Sequence, residues 1–155
     1  TMTVRFKEPD VLFDQGGADL KPEFEVILSD FFPRYVGVLE HFKGDVDEVR
    51  IEGHTSSEWR QETNRQTAYF RNMELSQDRT RNVLEYCVSV SNDVNGDAWI
   101  SNKIAAVGLS STKLVLTDGI EDRERSRRVE FRVKTNFEQR IIEETLKGRV
   151  EKTAF

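Results

Sequence analysis

Apolar residues recur at spacings of three and four along Leu20, Phe24, Ile27, Leu28, Phe31, Tyr35 and Leu39, which predicts an amphipathic helix packing one face on a core. Pro22 suits the first turn of that helix, whereas Pro33 falls inside the pattern and is expected to kink the helix or divide it in two. The period changes to two in "DEVRIEG", where Val49 and Ile51 face one way and Glu48, Arg50 and Glu52 the other, as in a strand. A polar run from Ser56 to Arg71 follows, longer than most connections in a compact domain. Helical spacing returns in "LSQDRTRNVLEYCVSV", with Thr80, Val83, Leu84, Cys87 and Val88 inward and Ser76 placed as the N-cap. "IAAVGL" reads as a short strand. "RRVEFRVK" reads as a longer one, with Val129, Phe131 and Val133 opposed to Arg128, Glu130, Arg132 and Lys134. "NFEQRIIEETLKGRV" predicts a terminal helix with Phe137, Ile141, Ile142 and Leu146 on one side.

Strands alternating with helices imply an α/β (α+β) sandwich in which helices cover one face of a sheet. The 155 residues fit one domain over 1–135 and a helical extension over 136–155. With 23 basic against 28 acidic residues, the net charge of -5 argues against a general grip on phosphate backbones, so no nucleic-acid partner is expected. No stretch approaches the ~18 apolar residues needed to span a bilayer, and 1–12 lacks a signal peptide's apolar core. A targeting segment or anchor for work outside the cytoplasm is therefore expected upstream. Cys87 is the one cysteine, and its helical neighbours suggest a small buried hydrophobe.

The candidate chemistry is concentrated after the first strand. His54, Ser56, Ser57 and Glu58 offer a base, a nucleophile and a carboxylate within five residues, yet triad partners usually come from separate elements, and a strand-end histidine bonded to backbone is the simpler reading. Two histidines, His41 and His54, with scattered carboxylates have no metal-ligand spacing, and no glycine pair is followed by a phosphate-loop lysine; no metal or cofactor is expected. Arg79, in the first turn of a helix capped by Ser76, would place a guanidinium fork beside free amides and bind a carboxylate; the plainer alternative pairs it with Asp78 or a loop acid. "DRERSRR", Asp122 to Arg128, reads as a solvated, self-paired charge run.

Taken together, "VLFDQGGADLKPEFEVIL", "VRIEGHT", the asparagine and "LSQDRT" of "NMELSQDRT", "IAAVGL" and "RSRRVEF" resemble, in that order and over about Val11 to Val133, the OmpA C-terminal or OmpA/MotB-like peptidoglycan-binding domain. The resemblance implies a βαβαβ-type mixed sheet with helices on one face and an extra C-terminal helix. It also implies a noncatalytic module that holds the free end of diaminopimelate in a wall stem peptide. In the family, an acid directly after Gly-His-Thr takes the ligand's ammonium and the arginine of the leucine-serine-x-x-arginine motif takes its carboxylate. Carried over by position, Arg79 is the carboxylate partner, Asn72 and Leu75 line the site and Thr55 belongs to its rim.

This sequence departs from the family at the acid, where Ser56 stands; Glu58, two residues on, is the substitute within reach. Arg71 stands where the family often has an aromatic, Ser126 replaces the asparagine before the paired arginines, and the loop after the first strand is longer. The resemblance implies a periplasmic domain of a membrane-anchored envelope protein, with a membrane-protein partner met through an N-terminal part. That parent is an outer-membrane or lipoprotein anchor, or a stator subunit of a MotB-like motor, including motor-like defence systems. The competing expectation keeps the fold as a protein-interaction or homodimerisation module with wall binding weakened by Ser56. Trp59, Tyr69, Phe70 and the terminal helix would then supply the contact surface.

Overall fold

In the computed structural model, which describes residues 2–6, 9–91 and 99–152, the chain opens with β1 (Met2–Phe6), a short α1 (Pro9–Leu12) and α2 (Pro22–Glu40). It continues through β2 (Val46–His54), the long α3 (Arg65–Val90), a 3-10 turn (Trp99–Asn102) and β3 (Ile104–Gly108). A small hairpin of β4 (Leu116–Thr117) and β5 (Ile120–Glu121), a turn of helix α4 (Arg123–Ser126), β6 (Arg128–Thr135) and α5 (Phe137–Lys152) complete it. Four strands form one mixed sheet in the order β1-β6-β2-β3; β6 runs antiparallel to both neighbours and β2 parallel to β3. A parallel pair needs a long crossover, which α3 supplies.

The period-two pattern places Val49 and Ile51 of β2 opposite Val133 and Phe131 of β6, and all four are buried under α2 and α3. Phe24, Leu28, Phe32 and Leu39 carry the inner side of α2. Phe31 and Tyr35 are only half-buried; they stack on each other at the core's edge and meet Phe131 edge-on, while Ile27, expected inside, is exposed. Pro33 does not divide α2. It lies on the exposed side, where water can serve the Ser29 carbonyl that the missing amide leaves unbonded. Val88 of α3 is likewise exposed, whereas Val83 and Cys87 are fully buried; burial pushes the Cys87 thiol up to about 12.

Two glycines set how close α3 lies to the sheet. A Cβ on Gly53 would meet Thr80 Cγ2 at 2.8 Å, and one on Gly108 would run into the Gln77 backbone nitrogen. Residues 76–80 of α3 are thereby pressed onto the ends of β2 and β3, which positions Arg79. β1 was not expected from the sequence, because Met2 and Val4 on its apolar side stay largely exposed and its alternation covers only five residues. The terminal helix forms as expected, but Phe137, Ile141, Ile142 and Leu146 are exposed rather than packed on the core.

Candidate functional site

The polar run after β2 divides into two different structures. Residues 55–64 are loop, and 65–71 are already the first two turns of α3. Asn64 is the N-cap, its side-chain oxygen accepting from the Thr67 amide at 3.0 Å. Ser76, expected as the cap, sits mid-helix and fully buried: its hydroxyl donates to the Met73 carbonyl at 2.9 Å and accepts from the Ser110 amide at 3.1 Å. The inward stripe explains the longer helix, since Ala68, Asn72, Ser76, Thr80, Val83 and Cys87 follow one another at spacings of three and four. Small and polar residues here do the work that apolar ones usually signal, so the pattern was hidden. Tyr69 and Phe70 accordingly belong to a helix, and Arg79 has no free helix-end amides beside it.

Arg79 is anchored by its neighbours' backbone. Its Nε donates to the Gly17 carbonyl at 2.7 Å, one Nη donates to the Asp14 carbonyl at 3.2 Å, and its guanidinium lies 4.6 Å from the Phe13 ring centre. Asp78 pairs with Arg81 instead. Burial, and then the nearby charge of Arg127, lower the Arg79 pKa to about 10, so it remains cationic at neutral pH. The "GG" turn before α2, with Gly16 at φ 71°, is thus the cradle that presents the guanidinium.

Arg79 opens into a cavity of about 420 Å3, and all six positions singled out from the sequence, Thr55, Ser56, Glu58, Asn72, Leu75 and Arg79, line it. Sequence reasoning missed Phe13, Gln15, Gly16, Trp59, Arg60 and Arg127, which line it as well. Arg127 is the first of the paired arginines in "RSRRVEF", a motif that gave it no role in a site, and it follows Ser126, whose buried hydroxyl accepts from the Val115 amide at 2.9 Å and fixes the turn. Asn72 holds the opposite wall: its amide nitrogen donates to the Ser56 and Glu58 carbonyls at 3.2 and 3.1 Å. The rim is tied from outside as well. Glu121 accepts from the Ser57 amide at 2.8 Å and hydroxyl at 2.6 Å, and Arg123 reaches the Glu58 carboxylate at 3.0 Å. The charge run from Asp122 to Arg128 is therefore not self-paired: Asp122 caps α4, Arg123 reaches Glu58, Arg127 lines the cavity and Arg128 bonds Glu130.

His54 turns away from both serines. Its Nε2 lies 3.3 Å from Glu52 and 3.8 Å from Glu130, its Nδ1 has no partner among the described residues, and burial followed by the Arg128 charge lowers its pKa. The nucleophile-to-base bond that acyl transfer requires is not formed between His54 and Ser56 or Ser57. Glu52, His54 and Glu130 do bring three ligand-type atoms within 4.8 Å of one another. Their carboxylates are already engaged, Glu130 with Arg128 at 2.6 Å and Arg5 at 3.2 Å, and Glu52 with Arg132 at 3.5 Å. The chemistry of this set is that of a buried ionic network.

The OmpA family pattern matches residues 12–128 of the chain. A protein of Escherichia coli, the Zorya protein ZorB, is 53% identical over 142 residues, covering 91% of this chain and 60% of the relative, so the chain spans less than two thirds of that protein's length. Among solved structures, a putative MotB-like protein from Desulfovibrio vulgaris superimposes with a TM-score of 0.61 at 24% identity, covering 86% of this chain and 74% of the other. The periplasmic domain of Helicobacter pylori MotB does so with a TM-score of 0.59 at 16% identity, covering 94% and 85%. At such identities the structural likeness speaks for the fold, a mixed sheet with helices against one face.

Proposed function

The chain belongs to the OmpA family, and from that membership we propose that it binds cell-wall peptidoglycan without catalysis, holding the diaminopimelate end of a stem peptide and so anchoring a larger envelope protein to the wall. The observation that carries this reading is Arg79: a half-buried guanidinium, fixed by two carbonyls and a ring, facing a cavity that also takes in Thr55, Ser56, Glu58, Asn72 and Leu75. A preorganised fork of this kind loses little entropy on meeting a carboxylate and forms two parallel charged hydrogen bonds. Thr55 and Asn72 hold the rim backbone in place, while Leu75 and Phe13 supply apolar wall for the ligand's methylene chain.

The likeness to the ZorB sequence and to MotB periplasmic domains supports a stator-type parent, with this domain on the periplasmic side and the membrane-embedded part elsewhere in the protein. No described helix is long and apolar enough to cross a membrane. Retention on insoluble diaminopimelate-type sacculi tests the reading. Arg79→Ala should lose binding by about ten- to a hundredfold, the worth of a charge-assisted hydrogen bond or two, with an unchanged circular dichroism spectrum. Undiminished retention of Arg79→Ala would remove Arg79 from the site.

A second reading, an interaction or dimerisation module, is favoured by one observation: the exposed apolar side of α5, with Phe137, Ile141, Ile142 and Leu146 on a helix held to the domain through Arg140 and Asp45. It predicts that Ile141→Glu changes the sedimentation behaviour without touching wall retention.

A further inference from the structure

The cavity's charge is one-sided. Arg60, Arg79 and Arg127 line it, and among the described residues none of the three has a carboxylate within ion-pair distance. Arg127 adds a buried Nε with no hydrogen-bond partner among the described residues, and the charges of Arg79 and Arg127 are close enough to oppose each other. Among the described residues Glu58 is the one carboxylate lining the cavity, and it is held by Arg123. The remaining polar lining is neutral: Gln15, Thr55, Ser56 and Asn72. Asn72 spends its amide nitrogen on the rim, and among the described residues no donor reaches its oxygen.

A zwitterionic end group brings an ammonium as well as a carboxylate. In this cavity the ammonium would find no uncommitted acid and would sit among unpaired guanidiniums, which repel it. If the amine is acylated, the same end group keeps its carboxylate and carries instead a neutral amide N–H. Its net charge falls by one unit, matching the cationic lining, and its single donor suits a neutral acceptor such as the Asn72 oxygen or the Ser56 hydroxyl.

We infer that this site prefers a carboxylate end group whose neighbouring amine is acylated, as it is in a cross-linked wall peptide, over the same group with a free ammonium. The inference rests on the wall-binding reading above and adds to it which chemical form of the wall is read. Reading cross-links would direct the domain to load-bearing, mature wall rather than to free stem ends.

Calorimetric titration of the 155-residue chain with two stem peptides decides the matter, one carrying diaminopimelate with its side-chain amine free and one with that amine acetylated. The acetylated peptide should bind at least about tenfold more tightly, and the ranking should reverse in Ser56→Asp, which places a carboxylate at the cavity wall. A smaller ratio, equal affinity or tighter binding of the free amine overturns the preference while leaving the wall-binding reading in place. Binding of neither peptide by a folded protein overturns both. A ranking unmoved by Ser56→Asp, in a variant whose circular dichroism matches the parent, removes cavity charge as the cause.

Discussion

Two groups of three arginines occupy opposite situations in this fold. On the outer face of the sheet, Arg5, Arg128 and Arg132 converge on Glu52 and Glu130, two buried carboxylates on neighbouring strands at directly opposed positions. In the cavity, Arg60, Arg79 and Arg127 have, among the described residues, no carboxylate within ion-pair distance, and Glu58 is held by Arg123. The side chain is the same; what differs is whether the protein supplies the counter-charge. Where it does, arginine is part of the structure. Where it does not, the cost of gathering cations is borne by the fold, and on the function proposed above an anionic ligand would offset it.

The comparison can be broken first through Glu130. Glu130→Gln removes the charge that Arg128 and Arg5 meet, leaving the largely buried Arg128 guanidinium undercompensated, and should lower stability by about 2–3 kcal/mol in urea unfolding. A loss within about 0.5 kcal/mol would mean that the outer network is as expendable as an ordinary surface pair. The converse holds for Arg127→Ala. Because no acid depends on it and it opposes Arg79, stability should stay within about 0.5 kcal/mol while ligand affinity falls about tenfold.

A smaller effect separates the two groups by pH. His54 sits in the outer network, and burial, then Arg128, oppose its protonated form more than Glu130 and Glu52 support it. The unfolded chain takes up that proton near pH ~6.5, so the stability carried by the neutral ring is whole above this pH. It declines as the pH drops below it, until the folded pKa is passed. Burial alone would raise the Glu130 pKa, but the hydrogen bond and charge of Arg128, with His54 and Arg5, lower it on balance. Its contribution is present above the ordinary carboxylate pKa of ~4.3 and is lost as the pH falls through the lower folded value. Urea midpoints measured from about pH 7.5 down to about 5.5 should therefore fall, and His54→Gln should flatten that slope; an unchanged slope would exclude His54 as its source. The smallest effect is expected from Glu58→Gln, which breaks only the exposed pair with Arg123 and should change affinity for the acylated peptide by less than about threefold.

Much of this arrangement is legible in the order of residues along the chain. β2 and β6 were visible because alternation along a half-buried strand is a direct print of its two faces, β3 because it is a short apolar run, and α2 because its core side is aromatic and aliphatic. The first turns of α3 were not, since the helix presents Ala68, Asn72 and Ser76 inward, residues whose polarity mimics a loop. β1 escaped for a related reason: at the sheet edge its apolar residues are only partly covered, so no strong alternation is required of it. Alternation set Glu52 and Glu130 on the side of the sheet opposite the apolar residues, but it could not show that both are buried there beneath arginine side chains that lie across the sheet.

By itself the sequence determined the class of fold, the family, and the six positions that come to line one cavity, because those depend on local periodicity and on short motifs that survive in the chain's own order. Only the tertiary structure decided the charge balance of that cavity. Arg127 approaches Arg79 from across the fold, Arg123 draws on Glu58 from 65 residues along the chain, and the Gly17 carbonyl holds Arg79 from 62 residues away. Electrostatic complementarity is a sum over groups close in space, and no reading of spacing along the chain can perform that sum.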